Sequence, residues 1–380
     1  MGGVAIGSMA LIVVLSVFNG LEDLLRSLYG SFDPDIKIIA AKGKSFEDFQ
    51  SLTEKLKEVD GVVSIVDVIE DYAYVKYRRS EMAVRIKGVG DQFLSQGRLD
   101  ESLVEGALQL KTSEADFAII GRGIQYALNI DIRNEFERLK LHYVKDLKMG
   151  TTDPTRLINS QSISISGVFA LEKSYDETYI FAPIEFVENL LNYDGKRTSL
   201  EVEIAENASM SRVQEEIKGI LGEDFKVLNS DEQHESLLRA VKIEKLFVYV
   251  VFTFIIAVAS FNIFFSLSML AIEKKKDISV LFAMGATNKI IKRIFVYEGA
   301  RIAFTGAIIG LTIGTIIVIL QQEYGLISMG MDSAIVVNYP VRMEALDFII
   351  TGACIITITF LASFRPANMA ARYNNSTLLH

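Results

Sequence analysis

The stretch that decides the fold reads Leu246-Phe-Val-Tyr-Val-Val-Phe-Thr-Phe-Ile-Ile-Ala-Val-Ala-Ser-Phe-Asn-Ile-Phe-Phe-Ser-Leu-Ser-Met-Leu-Ala-Ile272, and Glu273-Lys-Lys-Lys-Asp277 follows it directly. Its 27 residues carry no charge. Because a bilayer core about 30 Å thick needs roughly 20 apolar helical residues, the stretch predicts a membrane-spanning helix that tilts or projects beyond the core. Lys and Arg are retained on the cytoplasmic side, so the charged cluster predicts the inner end of this helix.

A short amphipathic segment comes next in the chain. Ile278, Leu281 and Phe282 recur at i, i+3 and i+4, which places them on one face of a helix. Gly285 stands where a helix C-terminal cap is expected. Such a segment predicts a short helix that either lies on the membrane surface or inserts into a groove of a partner.

The composition is that of a membrane protein with a polar domain. Half of the residues are hydrophobic although 23% are charged, and the mean hydropathy is +0.29. The net charge of −9 argues against nucleic-acid binding, which requires a basic surface. The single cysteine, Cys354, permits no disulfide within the chain. The polar region 22–245 must therefore be stabilised by its own core, and it is long enough to form one.

Charge counting orients the predicted spans. Besides 246–272, apolar stretches at 1–21, 302–322 and 348–364 each predict a transmembrane helix. The segment 273–301 holds seven Lys or Arg residues, whereas the loop 323–347 holds only Arg342. The positive-inside rule places 273–301, the tail 365–380 and the N-terminus in the cytoplasm. The predicted fold class is a membrane protein with four transmembrane α-helices, one and then three, and a large α+β extracytoplasmic domain inserted between helices 1 and 2.

The first span is predicted to remain in the mature protein. A signal peptide would need a basic region before its apolar core, and no basic residue precedes Arg26. A retained helix is therefore favoured over a cleaved signal. The chain begins inside this span, so we expect an N-terminal truncation relative to the true start.

Two further patterns concern the membrane region. Thr287 can cap a helix that runs to Glu298 and has an apolar face, which predicts an interfacial helix against the inner leaflet. The third span contains Gly306, Gly310 and Gly314 at four-residue spacing, which predicts close helix packing. Glycine is also common in transmembrane helices without such a role.

The region 22–245 shows β-α-β patterns at both of its ends. We predict one subdomain built from both ends, interrupted by an insert near 130–190. Within the region, 72–77 and 84–87 alternate in the manner of a β-hairpin.

Enzyme motifs are missing from the sequence. No G-x-x-x-x-G-K-[ST] phosphate loop occurs, so the chain is not an ATPase by that route. His234-Glu235 lacks a second His four residues after the first, which excludes the zinc-protease signature. We predict that the chain is not an enzyme, has no catalytic or metal site and binds no cofactor.

At this point the residues resemble a known family. The run from Phe261-Asn-Ile to Glu273-Lys-Lys-Lys-Asp-Ile278 and the element Ala283-Met-Gly-Ala286 are similar to those of lipoprotein-releasing (Lol-type, LolC/LolE) ABC transporter permeases, in the class of the MacB and FtsX permeases. Tyr324-Gly-Leu-Ile327 and Tyr339-Pro-Val341 point to the lipoprotein-release branch. The basic segment that usually precedes the first span of these permeases is absent here.

The resemblance implies a mechanism and partners. Two permeases, as a homodimer or heterodimer, would work with two separate cytoplasmic ABC ATPase subunits (LolD-like) that bind the ATP and Mg. ATP-driven closure would squeeze a lipoprotein from a membrane cavity and pass it to a periplasmic chaperone (LolA-like). The protein would lie in the inner membrane of a Gram-negative bacterium, in contact with lipid.

The resemblance also implies three groups of site residues. The ATPase-coupling helix would comprise Glu273, Lys274, Lys275, Asp277, Ile278, Leu281, Phe282, Met284 and Gly285, with Ile278, Leu281 and Phe282 as the apolar anchor. The lipoprotein cavity would be lined by Leu15, Phe18, Phe247, Val250, Val251 and Phe254. The chaperone-binding loop would include Lys148, Gly150, Asp153, Pro154 and Arg156.

Simpler interpretations remain open for each group. The 273–285 segment can be a stop-transfer cluster with a surface helix, the cavity residues can be ordinary lipid-facing or packing residues, and the loop can be an unremarkable surface loop. Two other functions also remain, which are efflux of a small molecule or peptide and signalling to an outer hydrolase in the manner of the cell-division permeases. The sequence leaves open whether the chain is LolC-like, LolE-like or a single permease with both roles.

Overall fold

The computed structural model describes residues 2–30, 32–134, 136–144, 158–328 and 338–372. The chain divides into two compact units, one formed by Arg26–Glu235 and the other by the helices before and after it. We call them the outer unit and the membrane unit.

Twelve α-helices and ten strands occur in the described residues. The helices are α1 (Gly2–Gly30), α2 (Phe49–Lys57), α3 (Asp91–Ser95), α4 (Arg122–Leu128), α5 (Lys173–Asp176), α6 (Ile184–Leu191), α7 (Met210–Leu221), α8 (Ser230–Gln233), α9 (Glu235–Glu273), α10 (Lys275–Ala283), α11 (Asn288–Tyr324) and α12 (Ala345–Arg372). The strands are β1 (Ile36–Ala40), β2 (Val62–Tyr77), β3 (Ser80–Val89), β4 (Leu103–Gly106), β5 (Phe117–Gly121), β6 (Leu139–Val144), β7 (Ile158–Phe169), β8 (Tyr179–Pro183), β9 (Ser199–Ile204) and β10 (Phe225–Asn229).

Four helices in the described part of the chain are long and apolar enough to cross a membrane. They are α1, α9, α11 and α12, as the sequence predicted. All four extend beyond the apolar stretches that mark the spans, because helical hydrogen bonds continue where the chain leaves the bilayer core. The largest extension is in α11, which begins at Asn288, fourteen residues before its apolar stretch.

The predicted interfacial helix is wrong. Residues 288–298 are the first three turns of α11, which continues without a break to Tyr324. Thr287 occupies the predicted N-cap position. Ile291 and Phe295, which were expected to face the lipid surface, are buried in the core of the membrane unit. Ile290 and Ile294, which belong to the same predicted apolar face, are still 48% exposed, so only one side of that face packs within the chain.

The glycine repeat packs helices closely, as predicted. A Cβ built at Gly310 would lie 2.1 Å from Ser8 Oγ and 2.2 Å from the carbonyl oxygen of Ala5. A Cβ built at Gly314 would lie 2.3 Å from Ile12 Cγ2. These distances are far below van der Waals contact, so α1 and α11 approach each other only because glycine has no side chain.

We expect Gly310→Ala to prevent this packing. The new side chain would meet the backbone of α1, which cannot rotate away as a side chain can, and overpacking costs about 1–3 kcal/mol or more. The thermal stability and yield of the detergent-purified protein should fall. Gly352→Ala is the matched control, because no heavy atom of the described residues lies within 4 Å of a Cβ at Gly352. Equal losses of thermal stability in both variants would contradict a close packing of α1 on α11 at the glycines, which we call the glycine seam.

The outer unit is built on one ten-stranded sheet with the order β10-β1-β9-β2-β3-β8-β5-β7-β4, while β6 pairs with β2 and β7. Helices α2 and α7 cover the part formed by β10, β1, β9 and the start of β2, and their apolar residues form one core. Since β1 comes from the beginning of the region and β9 and β10 from its end, the predicted subdomain built from both ends is confirmed.

The insert is larger than predicted. It begins within β2, whose second half pairs with β3 from Ile69↔Gly88 to Tyr77↔Ser80, and it continues through β8. Its core includes residues from β2, β3 and β5–β8. The hairpin predicted from 72–77 and 84–87 is confirmed as β2–β3. The predicted limits of 130–190 left it outside the insert, because a strand that passes from one subdomain into the next leaves no break in the sequence pattern.

A buried ionic cluster lies beside β9. Glu201 is fully buried, with Lys87 Nζ at 2.7 Å and Arg98 at 2.9 Å from its two carboxylate oxygens. Burial alone would raise the pKa of Glu201, but the charges of Lys87, Lys37 and Arg98 outweigh it and lower the pKa. Nearby Glu70 behaves in the same way, and its pKa is held at about 2. Both carboxylates are therefore charged at neutral pH.

We expect Glu201→Gln to destabilise the outer unit by about 3–5 kcal/mol, because it leaves two buried cations without their counter-ion. Hydrogen–deuterium exchange of β3 and β9 in the full-length protein measures this loss. Asp60→Asn is the control, since the Arg212–Asp60 pair is exposed and should contribute little. Unchanged exchange in Glu201→Gln would show that the cluster does not stabilise the sheet.

Candidate functional site

The segment predicted to couple to an ATPase forms the short helix α10. Gly285 follows it with a φ of +94°, which is the left-handed conformation of a glycine cap. The amide of Gly285 donates to the carbonyl of Phe282 at 2.9 Å, and that of Ala286 to Leu281 at 2.9 Å. The predicted cap is thus confirmed, and it ends the helix before α11 begins.

The apolar face of α10 points into the membrane unit. Ile278 is only 3% exposed, and Leu281 and Phe282 are partly buried against the same core. Together with residues of α9 and α11, Ile278 and Leu281 line a cavity of about 270 Å³. Within the chain these side chains pack on its own helices, and their role as an anchor for an ATPase stays a prediction.

The opposite face of α10 is exposed and defines what we call the coupling surface. Val280 is 57% exposed and Met284 is 71% exposed, although both are apolar. They follow Lys276 at four-residue intervals on one side of the helix. The remaining members of the predicted coupling group, Glu273, Lys274, Lys275 and Asp277, are also exposed. Lys274 and Asp277 form an ion pair at 3.2 Å.

An apolar stripe runs along α9. The predicted cavity residues Phe247, Val250, Val251 and Phe254 are 38–69% exposed within the chain. Val258, Phe261 and Phe265 continue the same stripe at intervals of three or four residues, and they are 50–63% exposed. Only 17% of the 18-residue apolar segment of α9 is buried within the chain, whereas 50% of the corresponding segment of α1 is buried. The stripe is thus free to contact lipid, cargo or a partner.

The two predicted cavity residues on α1 differ from each other. Phe18 is partly exposed. Leu15 is 1% exposed and belongs to the core of the membrane unit, together with Leu11 and Ile256. Leu15 is therefore a packing residue, which corrects its assignment to an open cavity.

The predicted chaperone-loop residues lie outside the described residues. They are Lys148, Gly150, Asp153, Pro154 and Arg156. The strands on either side, β6 and β7, pair antiparallel from Leu139↔Ile163 to Val144↔Ile158. The role of the loop stays a prediction.

A polar cluster that the sequence analysis missed joins three helices of the membrane unit. Asn19 on α1 is 3% exposed and donates to Asp347 on α12 at 2.7 Å. Lys245 on α9 donates to the side chain of Asn19 and lies 3.8 Å from Asp347. Lys245 and Asp347 each stand directly before an apolar run, and this position was the signal in the sequence that could have indicated the cluster. Within the residues that the structure describes, no group of three His, Cys, Asp or Glu side chains is placed to hold a metal ion.

Comparison with known proteins assigns the family. The profile of the MacB-like periplasmic core domain matches residues 1–220, and that of the FtsX-like permease C-terminal region matches residues 249–374. The chain belongs to the MacB/FtsX-like family of ABC transporter permeases. Membership implies that this permease works with an ATPase partner, and it agrees with four membrane-spanning helices and an extracytoplasmic domain between the first two.

Curated relatives match the permease over nearly its whole length. The lipoprotein-releasing system transmembrane protein LolE of Haemophilus influenzae is 22% identical over 99% of this chain and 92% of its own length. LolC of Buchnera aphidicola subsp. Schizaphis graminum is 26% identical over 99% of this chain and 91% of its own. The macrolide export ATP-binding/permease protein MacB of Neisseria meningitidis is 21% identical over 98% of this chain and 56% of its own. The resemblance seen in the sequence motifs is thereby confirmed.

We expect the coupling surface, rather than the apolar face of α10, to contact the ATPase. Val280→Asp and Met284→Asp should leave the permease folded and should reduce co-purification of the ATPase about tenfold, since exposed apolar side chains at the centre of an interface contribute on the order of 1–2 kcal/mol each. Ile278→Asp should instead lower the yield of folded permease, because it buries a charge.

Co-purification from solubilised membranes and thermal stability of each variant distinguish the two cases. If the Ile278→Asp permease is folded but loses the ATPase, while Met284→Asp binds it normally, the apolar face of α10 is the surface that binds the ATPase.

Proposed function

We propose that this permease extracts lipoproteins from the inner membrane of a Gram-negative bacterium. A separate LolD-like ATPase would bind the ATP and Mg and drive extraction, and a LolA-like periplasmic chaperone would receive the lipoprotein. The permease itself would bind no cofactor. The observation that carries the proposal is the exposed apolar stripe of α9 in a chain whose curated relatives LolE and LolC match it from end to end.

The stripe has the chemistry that acyl chains require. Phe247, Val250 and Phe254 offer aromatic and branched apolar surface at i, i+3 and i+7, so they share one face of the helix. In a permease dimer, homomeric or heteromeric, this face can enclose a cavity whose walls are apolar. Such walls would hold a lipid anchor by close packing and without polar contacts, since acyl chains that leave an equally apolar bilayer gain little hydrophobic free energy.

Release requires that the cavity become smaller. Helix α10, which carries the coupling surface, is separated from α9 by Lys274 alone. Movement of α10 with the ATPase would therefore move the inner end of α9 and change the shape of the cavity. Acyl chains that lose their contacts would leave toward the extracytoplasmic side, where a chaperone can shield them from water.

Efflux of a small molecule or peptide is the second candidate. It is favoured by the relationship to MacB, which covers 98% of this chain. The same apolar stripe would then bind an apolar cargo in place of an acyl chain. Signalling to an outer hydrolase would need no exposed cavity stripe, so the structure favours it less.

Depletion of the permease tests the proposal. We expect mature outer-membrane lipoproteins to accumulate in the inner membrane, as measured by density fractionation and immunoblotting. Complementation with Phe254→Asn should restore release poorly, because the amide makes the acyl-binding face polar. Complementation with Ile316→Asn, a change at a half-exposed residue of α11, should restore it.

Depletion and complementation together distinguish lipoprotein release from efflux. Normal delivery of lipoproteins after depletion, combined with increased drug sensitivity, would reject lipoprotein release in favour of efflux. Equal complementation by both variants would show that lipoprotein release does not use the stripe of α9.

A further inference from the structure

A second apolar recess lies between α11 and α12, away from the coupling surface. We call it the α11–α12 groove. It encloses about 680 Å³ and is lined almost entirely by apolar side chains. Its lining includes the small residues Ala303, Ala307 and Gly352, which create the space between the helices. Among the described residues, nothing fills the position in front of Gly352.

One end of the groove carries a cation. Arg301 lines the groove, and its side chain is 72% exposed. Its ion pair with Glu298 is long at 4.0 Å and is made along its own helix. With an extracytoplasmic domain between the first two of four spans, residues 273–301 fall on the cytoplasmic side. Arg301 stands directly before the apolar run 302–322, where the inner-leaflet headgroups would lie. The neighbouring Tyr297 is 71% exposed and also lines this end.

A buried hydroxyl without a partner lies slightly deeper in the groove. Thr359 on α12 is 1% exposed and lines the groove, yet its Oγ1 has no hydrogen-bond partner in the described part of the chain. Gly299 packs directly against Ser363, and the two helices run in opposite directions, so Thr359 stands level with Ala303. That level is two residues, or about 3 Å along the helix, from Arg301 toward the membrane centre.

These features match the three parts of a glycerophospholipid in their natural order. A phosphate at the headgroup level would pair with Arg301. An ester carbonyl just below it would accept the hydrogen bond that Thr359 does not otherwise donate, and an acyl chain would fill the apolar groove past Ala307 to Gly352. We propose that the α11–α12 groove is a binding site for one anionic phospholipid of the inner leaflet.

The charge of the site selects the lipid class. Basic side chains beside transmembrane helices on the cytoplasmic side attract anionic headgroups by about 1 kcal/mol each. A zwitterionic headgroup offers its own cation in competition with Arg301, so its advantage over bulk lipid is smaller. The site is distinct from the stripe of α9, and it does not depend on which cargo the permease carries.

Native mass spectrometry tests the proposal with the full-length permease, purified in detergent together with any subunit that stays bound. We expect the wild-type protein to retain one phosphatidylglycerol, and to retain phosphatidylcholine several-fold less. Arg301→Gln should reduce phosphatidylglycerol retention about fivefold, in keeping with one cation. Thr359→Val should reduce it about two- to tenfold, as expected for one hydrogen bond.

Two further variants make the test specific. Gly352→Leu adds bulk to the groove from a position where a Cβ meets no heavy atom within 4 Å, so it should abolish retention while the protein stays folded. Arg293→Gln removes the same charge from an exposed site two turns earlier on α11 and should change nothing. Thermal stability of each variant confirms folding.

Three results would overturn the proposal. They are equal retention by wild type and Gly352→Leu, equal losses in Arg301→Gln and Arg293→Gln, and equal retention of phosphatidylcholine and phosphatidylglycerol. Occupation of the groove by a second copy would be a fourth. It would appear as disulfide-linked dimers in membranes when Ile356→Cys, at an exposed groove position, is combined with Cys354→Ala.

Discussion

The membrane unit depends on the close approach of α1 and α11 at Gly310 and Gly314. In a bilayer, apolar side chains gain little by leaving lipid for one another, so helices associate where their surfaces fit closely. The two glycines allow the backbone of α11 to meet Ala5 and Ser8 of α1 without an intervening side chain. This seam places α1 in the interior of the unit. It also leaves the apolar stripe of α9 mostly uncovered.

The sequence predicted those features that depend on local pattern. Hydropathy located the four spans, glycine spacing located the seam, and Gly285 located the end of α10. It failed where the partner of an apolar face had to be known. The stripe of Ile278, Leu281 and Phe282 is the same whether the helix packs on its own chain or on another protein, and only the fold decides between them. The same ambiguity turned the start of α11 into a predicted interfacial helix.

Polar residues at the outer end of the membrane unit complete this arrangement. Asn19, Lys245 and Asp347 come from three different helices, and each appears in the sequence as an ordinary polar residue beside an apolar run. Their burial is costly unless all three are satisfied together. The cluster therefore fixes the relative rotation of α1, α9 and α12. The glycine seam has no directional bonds and fixes only the distance between helices.

In the outer unit, β2 serves both halves of the sheet. Its 16 residues pair with β9 over their first part and with β3 over their second. Extended backbone of this length measures about 53 Å at roughly 3.3 Å per residue. Such a strand couples the two halves of the sheet, because rotation of one end of β2 breaks the hydrogen bonds at the other end unless that end rotates as well. A rotation applied at one edge of the outer unit is thus transmitted through the sheet to the other edge, whereas a flexible linker between two separate domains would absorb it.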